Sequence, residues 1–144
     1  DPYCKAGLGV IIRNEFKGKI NSVDDLIGRT ICGQIGTSGA LYASTKIKDA
    51  NVTQFNSAPE AFLELNKGGC DALINDRPVL EYYMATTSDN DLTLLPDYIT
   101  AEQYGIVMNK NDKELIELVK KGFDSIKADG TYQAIYAKWF GKQE

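Results

Sequence analysis

Apolar and polar positions follow two rhythms along this chain. A continuous apolar run with β-branched residues predicts a buried strand over residues 8–13 (LGVIIR), and further strands are predicted over 30–35 (TICGQI), 52–55 and 71–75 (DALIN). Between them the spacing changes to that of helices. Ser22-Val-Asp-Asp25 reads as a helix start, a Ser cap with acids in the first turn, stopped at Gly28. A second helix follows the tight turn Gly36-Thr37-Ser38-Gly39 and runs to about Lys46. Ser57-Ala-Pro-Glu60 is a capping box with Pro in the first turn, and its helix aligns Ala61, Phe62 and Leu65 before ending at Gly68-Gly69. Pro78 opens the next helix, PVLEYYMAT, and residues 92–95 and 104–109 read as extended. Asn111-Asp-Lys-Glu114 caps a long helix with Leu115, Leu118, Val119, Gly122 and Ile126 on one stripe. Asp129-Gly130-Thr131 breaks it, and a last helix over residues 132–140 carries Ile135, Tyr136 and Trp139.

From Leu8 to about Thr86, strands alternate with helices. That order predicts an α/β fold, a mainly parallel open sheet flanked by helices, followed by two C-terminal helices. Organisation changes once, near residues 102–105, and no repeat or flexible linker interrupts the chain.

Composition narrows the chemistry. A length of 144 residues, 43% of them hydrophobic and 25% charged, is that of one globular domain with a real core. The net charge of −4, without a Lys/Arg cluster among aromatics, argues against a nucleic-acid partner. There is no histidine, which removes Ser-His-Asp and Cys-His nucleophiles and most zinc and haem sites. No metal or cofactor is expected. Cys4, Cys32 and Cys70 lack CxxC spacing and read first as small buried hydrophobes. A Cys32–Cys70 bridge is open only if their strands are neighbours. No apolar run is long enough for a bilayer, and the start is not signal-like, so an export signal would lie outside this chain.

In an open parallel sheet, ligands bind beyond the carboxyl ends of the strands. Two such ends are polar here. At Gln34-Ile-Gly-Thr-Ser-Gly39 a strand runs into a glycine turn and a helix start, where backbone N–H groups and the helix dipole favour an anion. The loop is short and lacks the lysine of a phosphate-binding loop, so a small carboxylate suits it better than a nucleotide. The plain structural alternative is a turn with Thr37 or Ser38 as N-cap. At Asn75-Asp76 a carboxylate stands at a strand mouth, either to cap the next helix or to face a cation such as an ammonium group. Taken together the two ends make a clamp for a zwitterion. Asp24-Asp25 and Asp89-Asn-Asp91 lack the spacing of a calcium loop. The aromatics of residues 132–140 recur at helical spacing, as packing residues do.

A further set of residues, in order, carries a resemblance. They are Asp1-Pro-Tyr3 with Ala6-Gly-Leu8, Asp25-Leu-Ile-Gly28, Gly33-Gln-Ile-Gly-Thr-Ser-Gly39, and Ala61-Phe-Leu-Glu-Leu65 with Gly68. Asp71-Ala, Asn75-Asp76, Gln103-Tyr-Gly-Ile106 and Asp129-Gly-Thr-Tyr132 continue it through Ile135-Tyr136 to Lys138-Trp-Phe-Gly141. The chain resembles the carboxyl-terminal part of bacterial extracellular solute-binding proteins of the polar amino acid class, above all the glutamine-binding ones.

The resemblance implies two α/β lobes joined by two crossover strands, with an amino acid held between them. Residues 1–8 would be the first crossover, 9–102 the second lobe, and 103–108 the second crossover. Residues 109–144 would be helices that belong to the first lobe in relatives. Most of that lobe, with its carboxylate-binding arginine and covering aromatics, has no counterpart here, as in a fragment, a dissected lobe or one piece of a two-chain assembly. Gly36, Thr37, Ser38 and Gly39 would hold the α-carboxylate and Asp76 the α-ammonium. Gln34 would reach the side chain, and Asn75 stands where relatives vary with ligand. The implied role is the binding component of an extracytoplasmic ABC-type uptake system for glutamine or another polar amino acid, working with a membrane permease and without catalysis. The alternatives are a cyclohexadienyl-dehydratase-like enzyme and a ligand-sensing domain; the latter is disfavoured because the chain stops at Glu144 without a transmembrane helix. The apolar stripes of the last helices call for the missing lobe or a dimer partner.

Overall fold

The computed structural model describes residues 2–87 and 91–141. Asp1 of the first crossover, Asp89 of the polar Asp89-Asn-Asp91 segment and residues 142–144, including Glu144, lie outside the described residues. Strands β2 (Leu8–Arg13), β3 (Thr30–Gln34), β4 (Asn51–Phe55), β5 (Ala72–Asp76) and β6 (Leu92–Leu94) form one sheet in the order β4-β3-β5-β2-β6. A separate two-stranded ribbon pairs β1 (Pro2–Lys5) with β7 (Gln103–Gly105), antiparallel, with Cys4 opposite Tyr104.

The continuous apolar runs are explained by a core on each face of the sheet. Val10, Ile12, Ile31 and Ile74 point to one side, with Ile20, Leu26, Ala43 and Ile47. Ile11, Cys32 and Leu73 point to the other, with Ala61, Phe62, Leu65 and Leu80. Each such aliphatic side chain contributes about 1.5–3 kcal/mol by leaving water. Helix α1 (Ser38–Lys46) covers the first face; α2 (Ala58–Lys67) and α3 (Arg77–Thr86) cover the second. Ser57 and Glu60 make the expected reciprocal cap of α2, and Gly68 ends it at φ 86°.

The sheet departs from the βαβ reading in one strand. β3 is parallel to both β4 and β5, but β2 runs antiparallel to β5 and to β6. A strand buried on both faces looks the same in either direction, so the apolar pattern could not set its polarity. The helix expected at residues 22–28 is a single 3-10 turn, Val23–Leu26, capped by Ser22 and Asp25. The backbone N–H groups of Asn21 and Ser22 donate to the Asp25 carboxylate and lower its pKa. The strand expected at residues 104–109 is limited to Gln103–Gly105, the length that β1 can pair.

Helices α4 (Lys113–Ala128) and α5 (Thr131–Phe140) have no fully buried residue. They fold back on the rest of the chain along one side. Tyr136 donates to Glu81 on α3 at 3.0 Å, and Tyr132 donates to the Tyr3 carbonyl at 2.7 Å. Phe123 of α4 meets Tyr132 edge-on, with ring centroids 5.7 Å apart. The other side stays open, with Leu118 66% exposed and Ile135 and Trp139 near half.

Cys32 and Cys70 are bridged, with Cα atoms 5.9 Å apart. The first reading of both as free hydrophobes is therefore corrected. The bridge forms because β3 and β5 are neighbours and Cys70 lies just before β5. Cys4 is buried and free, and burial raises its thiol pKa. Replacing both bridged cysteines by alanine releases a link between positions 38 residues apart. The expected cost is about 2–4 kcal/mol, read as a lower urea midpoint by circular dichroism. An unchanged midpoint would show that the bridge constrains nothing.

Candidate functional site

The site is built where β3 and β5 end. Because they are parallel neighbours, their carboxyl ends lie at the same edge of the sheet. Beyond β3, Gly36 turns the chain at φ 75°, a conformation that suits glycine. Thr37 then caps α1. Its hydroxyl accepts from the Ala40 N–H at 3.3 Å and donates to the Gln34 carbonyl at 2.7 Å. The remaining first-turn amides of α1 open at this edge, beside the positive end of the helix dipole.

Gly39 sets how closely that helix start approaches β5. A Cβ here would stand 2.7 Å from the Ile74 carbonyl oxygen and 3.3 Å from Asn75 Cα. Gly33 plays the same part on β3, where a Cβ would meet that of Ala40 at 3.1 Å. The GTSG turn is thus seated directly on the end of β5, next to Asn75 and Asp76.

Asp76 is the last residue of β5 and occupies the N-cap position of α3, yet its side chain makes no cap hydrogen bond. The helix-capping alternative is not what the carboxylate does. It accepts a hydrogen bond from the Tyr104 hydroxyl of β7. Burial, then the Asp76 hydrogen bond and charge, push the Tyr104 phenol well above its usual range.

Gln34 and Asn75 become lateral neighbours. The pairs Ile31–Ala72 and Cys32–Leu73, continued along both strands, set Gln34 beside Asn75 on the face that carries α2 and α3. Gln34 Nε2 reaches the Asn56 carbonyl at 3.5 Å. Asn75 is 4% exposed; its Oδ1 accepts from the Asp76 N–H at 2.8 Å, while its Nδ2 has no partner among the described residues. A buried amide donor without an acceptor costs about 1–3 kcal/mol.

All seven residues singled out in the sequence therefore meet at one edge. Tyr104 was missed as a member of the set, since nothing in its local pattern shows that β7 returns to β5. Arg77 was also passed over. It pairs with Glu81 at 2.9 Å, donates to the carbonyls of Leu95 and Pro96, and lies over the Tyr98 ring. The spacing of Arg77 and Glu81 signals the pair; the loop contacts are long-range. A cavity of about 750 Å³ beside them, bounded by α3 and α5, holds none of the seven.

Residues 1–142 match the family of bacterial extracellular solute-binding proteins, family 3. The chain belongs to this family. It is 34% identical over 142 residues to the ABC transporter glutamine-binding protein GlnH of Bacillus subtilis, covering 96% of this chain and 50% of that protein. Identity to the L-cystine-binding protein TcyJ of Escherichia coli is 25% over 140 residues, covering 97% and 52%. Among solved structures, an ancestral cationic amino acid solute-binding protein superposes with TM-score 0.88 at 32% identity, covering 97% of this chain and 60% of the other. A further structure of that ancestor names it an amino acid-binding protein and a precursor of cyclohexadienyl dehydratase. The chain spans about half the length of the curated relatives it matches.

Two glycine substitutions should have opposite signs. Gly39→Ala puts a methyl group into backbone and should cost about 1–3 kcal/mol. Gly122→Ala in α4 meets open space and should gain up to about 1 kcal/mol from helix propensity. Urea unfolding of both variants checks this; a neutral Gly39→Ala would mean that α1 is free to shift.

Proposed function

We propose that this chain supplies one ligand-binding lobe of an amino-acid-binding protein of an ABC uptake system. Residues 9–102 form the lobe, 1–8 and 103–108 the crossovers, and 109–144 the helices shared with the other lobe. The supporting observation is the meeting of two opposite chemistries at one sheet edge. The GTSG turn (Gly36, Thr37, Ser38, Gly39) offers N–H groups and the Ser38 hydroxyl to a carboxylate, the Thr37 hydroxyl being held by the Gln34 carbonyl, and Asp76 offers a negative charge to an ammonium. Such a pair matches the charges common to all α-amino acids, which a neutral sugar lacks.

Side-chain choice falls to Gln34 and Asn75. Both are neutral amides, which suit a polar, uncharged side chain such as that of glutamine. Closure of a second lobe over the ligand would complete the contacts and select the closed state. Helices α4 and α5 would rest their open apolar side on that lobe. The Cys32–Cys70 bridge suits an oxidising compartment outside the cytoplasm, where a membrane permease would receive the ligand.

The ancestral neighbour named as a dehydratase precursor keeps a second reading, loss of water from a cyclic acid. That chemistry needs a placed general acid. Asp76 accepts a hydrogen bond at this edge, the role of a counter-charge rather than of a proton donor.

The test is a titration of the nitrogen-15-labelled chain with glutamine, arginine, histidine and glucose, followed by amide shifts. Amino acids should move the amides of Gly36, Thr37, Ser38, Gly39 and Asp76, and glucose should not. With one lobe the ligand stays half-solvated, so the expected Kd is about 1 mM, near −4 kcal/mol. Asp76→Ala should weaken binding by about 1–2 kcal/mol, between an exposed and a buried ion pair. Shifts with glucose alone, or none with any amino acid, would defeat the reading.

A further inference from the structure

Tyr104 lies far along the chain from the other site residues, yet its hydroxyl reaches the one carboxylate assigned to the ligand ammonium. The second strand of the ribbon delivers it. β7 pairs with β1, placing Tyr104 opposite Cys4, and the Ala6 N–H donates to the Glu102 carbonyl at 3.0 Å. The chain leaving β1 then enters β2, whose first residue, Leu8, pairs with Asp76. The Arg77 N–H donates to the Gly7 carbonyl at 3.0 Å. Asp76 is therefore fixed to the ribbon from both sides, by backbone through Gly7 and Leu8 and by side chain through Tyr104.

We propose that Tyr104 is the positioning residue for Asp76: its hydroxyl holds Oδ2 of the carboxylate and so aims Oδ1 at the ammonium group of the bound amino acid. This rests on the amino-acid reading of the site. Three features support it. Asp76 has no cap bond to α3 that would orient it instead. Oδ1 has no hydrogen-bond partner among the described residues, which leaves it for a ligand donor. The phenol stays protonated far above physiological pH, so it remains a donor whenever the carboxylate is charged. A carboxylate held by a neutral donor keeps its full charge for the ammonium, whereas a lysine or arginine in that place would neutralise it.

The geometry also ties ligand to ribbon. An ammonium on Oδ1 and the hydroxyl on Oδ2 share one carboxylate, so a change at either oxygen is felt at the other. The signal of ligand capture reaches the crossover strand in a single hydrogen bond.

The experiment compares the full chain with its Tyr104→Phe variant, using two probes, L-glutamine and 4-carbamoylbutyrate. The second is glutamine without its ammonium. Wild-type chain and variant are titrated by amide shifts, and carbon-13-labelled tyrosine reports the Tyr104 phenol carbon. Tyr104→Phe should weaken glutamine about threefold and leave 4-carbamoylbutyrate unchanged. In the wild type, saturation with glutamine should move the Tyr104 phenol carbon, and 4-carbamoylbutyrate should leave it in place. Asp76→Asn serves as the second variant: it should abolish the phenol response while the ring stays packed. Equal loss of both probes in Tyr104→Phe would assign the residue a purely structural part and overturn the proposal. Glutamine binding at wild-type strength by Tyr104→Phe would overturn it as well, with the amino-acid reading intact. No glutamine binding by the wild type would overturn that reading, and the proposal with it.

Discussion

The contact on which this molecule turns is the seating of α1 on the end of β5. Gly39 allows it, since any side chain there would collide with the backbone carbonyl of Ile74. Gly33 and Ala40 make the same close approach on the β3 side. With these small residues in place, the helix start, with its unpaired amides, lies against the strand that ends in Asp76. An anion-favouring feature and an acidic side chain are then neighbours, which an ordinary surface would keep apart or neutralise. The parallel pairing of β3 with β5 is the second half of the same constraint. Were the strands antiparallel, the GTSG turn and Asp76 would stand at opposite edges.

The rest of the α/β sheet and its helices hold that edge still. Two apolar layers clamp the sheet from both faces, and the Cys32–Cys70 bridge joins β3 to the start of β5 at the end away from the site. On the other side of β5, Arg77 draws together α3 and the segment after β6, through Glu81, the carbonyls of Leu95, Pro96 and Asp97, and the Tyr98 ring. Its side chain is largely buried, Nε and Nη1 both meet acceptors, and Glu81 compensates its charge where it lies. Glu81 in turn receives the Tyr136 hydroxyl from α5. One ion pair therefore locates both the loop after β6 and the last helix.

The two C-terminal helices obey different physics from the sheet and its covering helices. Their apolar stripes are genuine, but only one side of each finds cover within the chain. Their position follows from a few aromatic and hydroxyl contacts with Tyr3, Glu81 and Tyr82, not from a core of their own. That arrangement agrees with a part that shares its apolar surface with another body.

Much was determined locally. The β-branched runs marked the buried strands, the capping box at Ser57 and Glu60 marked α2, and the glycine turn marked α1, because these depend on near neighbours in sequence. The place of the seven candidate residues at strand ends and a helix start was legible for the same reason. Tertiary structure decided what near neighbours cannot encode. A strand apolar on both faces carries no sign of its direction, so the reversal of β2 was invisible. The Cys32–Cys70 bridge depended on which strands became neighbours. The partnership of Tyr104 with Asp76 depended on the return of β7 to β1, a pairing between segments about a hundred residues apart. Local spacing determines what each segment can be; only the folded chain decides which distant groups share a carboxylate.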